Sequence, residues 1–168
     1  MSRYFPRFPA ITSALGLAAF TPAYTARAIG SYAAIGDVDG TRRSARMTLA
    51  RAEKAIGQDQ NNGPAISTGA YALTALGEAE RAEEWIGRAL LVDPDNFAMR
   101  FNYACGVNMH LKDADKALDL LAPLFATISS GFLNEAMADP DLDSVREHPR
   151  FRAMLAAAEA RLAKPGAG

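Results

Sequence analysis

Asp139, Asp141 and Asp143 stand at alternate positions, the spacing that opens a calcium-binding loop. Such a loop converges carboxylates on one cation, but it also needs glycine at its sixth place and glutamate at its twelfth. Those places hold Ser144 and Arg150. The triplet is therefore expected to cap a helix at Asp139 and Pro140 and to keep its carboxylates in solvent, with no metal. Asp37, Asp39 and Gly40 likewise make a turn that nothing downstream completes. Cys105 and His110 have the elements of a thiol–imidazole couple. On one helix five residues put them roughly 140° apart around the axis, so they cannot share a face. A free cysteine is usually small and buried, and Cys105 is expected to be buried or to line a groove. His148, before Pro149, reads as a helix start. Glycine-rich phosphate loops, nucleophile elbows and paired-histidine motifs are all missing. The expectation is a protein that is not an enzyme and uses neither metal nor cofactor.

The whole-chain numbers agree with that. The 168 residues are 49% apolar and 22% charged, and they bound one domain-sized soluble protein. A net charge of −1 gives no basic face for nucleic acid. One cysteine excludes an internal disulfide and fits a reducing compartment. Residues 1–28 can be read as a secretory signal, with Arg3 and Arg7, an apolar run over 10–20, and Ala26, Arg27 and Ala28 at the cleavage site. Against this, Thr12, Ser13 and Gly16 break the run, and Thr21 followed by Pro22 is a good helix start. Cleavage after Ala28 would cut that helix, expected to reach Ile35. The protein is expected in the cytoplasm, the alternative being the periplasm if the signal is cleaved. The apolar stretch is far short of the ~20 residues a membrane span needs.

The elements that must position these residues repeat. In residues 63–96, Ile66, Gly69, Ala70, Leu73 and Leu76 recur at helical spacing, and Gly77 stands where a left-handed residue ends a helix. Ala82, Trp85, Ile86, Ala89 and Leu90 form a second stripe, stopped by Asp93, Pro94, Asp95 and Asn96. Residues 97–125 follow the same logic, with Phe101, Ala104, Cys105 and Leu111 on a first helix and Ala117, Leu120, Leu121 and Leu124 on a second. Lys112 and Asp113 make the turn between them. Ala82 and Ala117 lie 35 positions apart, one more than the 34 residues of the repeat 63–96, so one residue is inserted at the interhelix turn or between repeats. Upstream, Tyr32, Ile35 and Gly36 match the end of a first helix, and Ala52, Ala55 and Ile56 a second. Seven extra residues there predict a longer second helix or an added loop near Asp39, Gly40 and Thr41.

These residues resemble the tetratricopeptide repeat. Ala70, Gly77, Ala82, Ala89 and Pro94 occupy its small, turn and terminal-proline positions, small because the two helices cross closely. The resemblance spans residues 21–125, divided as 21–62, 63–96 and 97–125. It implies an all-α fold, a right-handed solenoid of helix-turn-helix hairpins. Phe132, Leu133 and Asn134, then 139–146, then His148, Pro149, Arg150 and Phe151 resemble the segment that closes bacterial arrays of this kind. Residues 126–168 are thus expected to cap the last repeat, with a terminal helix over 149–163. Residues 1–20 would be a signal-like or leftover segment, and the apolar stretch 11–20 a contact for a homodimer.

The resemblance implies a non-catalytic scaffold that binds a protein or peptide in its concave groove. Ser67, Tyr71, Thr74, Phe101, Asn102, Cys105, Asn108 and Met109 are the candidate groove residues. A mixture of aromatic, methionine and small polar groups suits an extended peptide or a helix. Asn102 matches a position of the carboxylate-clamping members of the family, but the lysines of that clamp are missing. The alternatives are a regulatory C-terminal fragment of a multidomain bacterial signalling protein such as a nucleotide cyclase, or a periplasmic adaptor.

Overall fold

A computed structural model describes residues 22–164, with side chains from Ala26 onward. It is all-helical, and no strand occurs among the described residues. The signal-like run and the dimer contact expected in residues 1–20 lie outside the described residues. The described residues form two compact units that part between Asn96 and Phe97. Among them, no helix is long and apolar enough to cross a membrane.

The first unit holds α1 (Pro22–Ala34), α2 (Val38–Gln58), α3 (Gly63–Leu76) and α4 (Ala79–Val92). Each turn is written in local chemistry. Asp37 accepts a hydrogen bond from the Gly40 N–H at 2.7 Å and starts α2. Asn62 accepts one from the Ala65 N–H at 3.0 Å, with Pro64 in the first turn of α3. A side-chain cap of this kind is worth about 1 kcal/mol. Gly36 (φ 74°) and Gly77 (φ 78°) take the left-handed conformation that ends α1 and α3. The seven extra residues upstream are resolved in favour of a longer helix: α2 runs 21 residues, against 14 in its counterpart α4. Within the unit α2 packs on α1 and on α3, α4 on α3, and α1 also reaches α3. The contact surfaces are small. Ala45, Ala52, Ala70, Ala82 and Ala89 are buried, and Gly69 lies so close to the Trp85 ring and to Ala52 that a Cβ there would collide.

The second unit holds α5 (Phe97–Gly106), a π-helical turn (Val107–Leu111), α6 (Ala114–Thr127), α7 (Ser130–Ala138), a 3₁₀ turn (Pro140–Val145) and α8 (Pro149–Leu162). The π-helical turn is the inserted residue. A π turn lengthens a helix by one position without ending it, so the 35-position spacing arises inside the first helix of the hairpin and not in its loop. Lys112 then takes the left-handed place (φ 58°) that glycine fills in the first unit. Asp113, Ser129 and His148 cap α6, α7 and α8 through the N–H groups of Lys116, Phe132 and Arg150. The core is filled by larger groups. Phe125 and Phe151 meet edge to face at 5.5 Å, as do Phe101 and Phe132 at 5.6 Å. The expected terminal helix is present, and residues 126–164 belong to the same unit as α5 and α6.

Candidate functional site

The eight groove candidates fall on two stretches of helix. On α3, Ser67 and Tyr71 sit one turn apart and half-buried, while Thr74 is fully buried. The Thr74 hydroxyl donates to the Tyr71 carbonyl at 2.7 Å, so it satisfies its own helix and offers nothing outward. On α5, Asn102 is exposed, and Phe101 is buried against Phe132. Cys105 and Asn108 are each 5% exposed. Met109, in the π turn, is half-buried. Thr74, Phe101, Cys105 and Asn108 therefore contribute to the interior as placed. Ser67, Tyr71, Asn102 and Met109 retain surface.

The π turn brings polar groups together inside the second unit. Asn108 Nδ2 donates to the Asp141 carbonyl at 2.7 Å and lies 2.8 Å from the Ser144 hydroxyl, which donates to Asn108 Oδ1 at 3.1 Å. An asparagine buried this deeply must fill its bonding capacity, and here the 3₁₀ turn supplies the partners. Arg146 braces the other end of that turn: its Nη2 donates to the Asp139 carbonyl at 2.8 Å and its Nε to Asp143 at 2.7 Å. The backbone carbonyls of Asp139 and Asp141 are thus both held from outside the turn's own ladder.

Beside this brace, the Cys105 sulfur and the carboxylates of Asp139 and Asp141 all lie within 4.8 Å of one another. The expected cap at Asp139 is present, its carboxylate accepting from the Asp141 N–H at 2.9 Å. The expected solvation holds for Asp143, which is exposed, and is corrected for the other two: Asp139 is 6% exposed and Asp141 half-buried, because the 3₁₀ turn folds against the π turn. Burial raises the Asp139 pKa, against the Asp141 N–H and the Arg146 charge that lower it. Burial, with Asp139 and Asp143 adding repulsion, pushes Asp141 up to about 6. Burial also holds the Cys105 thiol well above the usual thiol range, and both aspartates push the same way. At neutral pH the thiol keeps its proton.

Sequence reasoning separated Cys105 from the aspartates because they lie more than thirty positions apart, and local spacing carries no information on such a contact. One signal did exist: the extra residue between Phe97 and Lys112, with Asn108 polar amid apolar neighbours, marks an irregular helix of the kind that carries functional groups. No protein-family model, curated protein or solved structure matches this chain.

Proposed function

We propose that this protein is a non-catalytic interaction scaffold of the tetratricopeptide type, and that the face of α3 carrying Ser67 and Tyr71 takes a peptide or a partner helix. The observation that carries the reading is the packing of α3. It lies against α1, α2 and α4, so the first helix of one hairpin sits beside the first helix of the next, as stacked helical hairpins require. The small side chains at the crossings agree: Ala70, Ala82 and Ala89 are 0–1% exposed. Gly77 turns left-handed between the two helices, and Pro94 follows α4. With three flanks covered, α3 still leaves Ser67 and Tyr71 half-exposed. Tyrosine is a preferred anchor in interfaces because it covers much area at little entropic cost.

The test is selection of peptides from a random displayed library on the intact protein, followed by affinity measurement on variants. Tyr71→Ala is expected to weaken the selected peptides by about tenfold, a loss of roughly 1.4 kcal/mol, with the melting temperature preserved. Affinities untouched by both Tyr71→Ala and Ser67→Ala would place binding elsewhere and overturn the reading.

A further inference from the structure

We propose that Cys105, Asp139 and Asp141 form a site for a divalent transition-metal cation of the zinc type, with water completing the coordination. The proposal is independent of the α3 reading. It rests on geometry that joins two elements of the second unit. The thiol comes from α5, just before the π turn, and the carboxylates from the start of the 3₁₀ turn, with all three donor atoms within 4.8 Å. Cys105 is a free thiol, 5% exposed. Its sulfur points at the two carboxylates.

Three acidic groups gathered in a largely dry place oppose one another's ionisation, which an apolar core would not do. A divalent cation turns each repulsion into attraction. Zinc bonds of about 2.0 Å to oxygen and 2.3 Å to sulfur put tetrahedral donors roughly 3.3–3.5 Å apart. Side-chain movements on the order of 1 Å close the present span to that distance. Sulfur selects the metal class: calcium and magnesium take oxygen donors, whereas a thiolate favours zinc and its neighbours. Binding forms a metal–sulfur bond as the thiol proton leaves to solvent, since the thiolate is the ligand.

The surrounding hydrogen bonds fit that role. Arg146 holds the Asp139 carbonyl and Asn108 the Asp141 carbonyl, so the peptide units bearing both carboxylates are fixed before a metal arrives. Groups that orient ligands in this way tune metal affinity. A cation here would cross-link the irregular end of the first helix to the segment 140–145. The earlier expectation that Asp139, Asp141 and Asp143 are solvated and bind nothing followed from the calcium-loop spacing alone, which does not include the thiol.

The experiment titrates the full chain, reduced and metal-free, with Co²⁺ and then with Zn²⁺ at neutral pH. A single equivalent of Co²⁺ is expected to give a sulfur-to-cobalt charge-transfer band, which Zn²⁺ removes stoichiometrically. Cys105→Ser abolishes the band, and Asp141→Asn weakens Zn²⁺ binding by about tenfold or more. Because buried positions can misfold on substitution, the wild-type unfolding midpoint is measured with and without Zn²⁺, and Zn²⁺ should raise it. Folded wild-type protein that gives no charge-transfer band overturns the proposal. So does a Zn²⁺ affinity that is the same in wild type, Cys105→Ser and Asp141→Asn.

Discussion

The two compact units solve the same problem, packing short antiparallel helices, with opposite materials. In the first, the buried set is dominated by alanine, and Gly69 lets α3 approach Trp85 and Ala52 without a side chain between. In the second, Phe101, Tyr103, Leu118, Leu121, Phe125 and Phe151 fill the interior. Helices that cross closely leave room for a methyl group and little more. Helices held further apart, or set against an irregular segment such as 140–145, need large side chains to reach native density. Composition at the crossing thus sets what each unit tolerates: the first is sensitive to added volume, the second to lost volume.

The largest effect expected from that contrast is in the second unit. Phe151 is fully buried on α8 and meets Phe125 edge to face. Phe151→Ala should cost about 3–5 kcal/mol, the removed ring plus the cavity left behind. Urea unfolding measures it, and amide exchange should show the loss in α6 and α8, which pack on one another. A cost under about 1 kcal/mol would mean that the interior collapses around the gap; the large side chains would then not be what holds α8.

In the first unit the informative change runs the other way. Ala82, at 0% exposure, is a crossing residue, and Ala82→Leu should destabilise by about 1–3 kcal/mol through overpacking. Leucine is the better buried hydrophobe, so a stabilised variant would show spare room at the crossing and remove half of the comparison. An unchanged melting temperature would do the same.

How much of this could be read from residues alone follows from what is local. Helix limits were legible because their signals are local: Gly77 closes α3, Lys112 and Asp113 make the turn into α6, and His148 begins α8. The extra residue between Ala82 and Ala117 was also visible as a count. Its resolution as a π turn was not, because a loop and a bulge carry the same number of residues. The groove candidates were chosen by helical position, which gives azimuth but not what lies against each face. Thr74 and Asn108 are polar enough to suit a groove and are instead buried, and of the two places expected for Cys105, interior or groove, it takes the interior. The brace from Asn108 to Asp141 and Ser144 spans more than thirty positions, beyond any periodic pattern.

The smallest effect tests the turns, where the units differ by one residue type. Gly77 and Lys112 occupy the same left-handed place in successive hairpins. Gly77→Ala should cost about 1–2 kcal/mol, the penalty of a side chain in that conformation. Lys112→Gly relieves a like penalty but adds about 0.5–1 kcal/mol of backbone entropy to be lost on folding, leaving a gain of about 0.5 kcal/mol. Chemical denaturation of the pair gives opposite signs if conformation alone decides. A Lys112→Gly variant less stable than wild type would mean that the lysine does more than occupy the turn. His110 supplies a second readout. Its pKa is lowered from 6.5, chiefly by burial and next by the Lys112 charge. A folded pKa below the unfolded one gives stability that is present above pH 6.5 and lost as pH falls through the folded value. Removing the lysine should move the His110 pKa, followed by proton NMR, back toward 6.5 without reaching it, because the burial remains. The acid-side loss of stability from this group should then narrow in the variant. A His110 pKa that does not move would separate the charge of Lys112 from the imidazole and leave the turn as that residue's whole contribution.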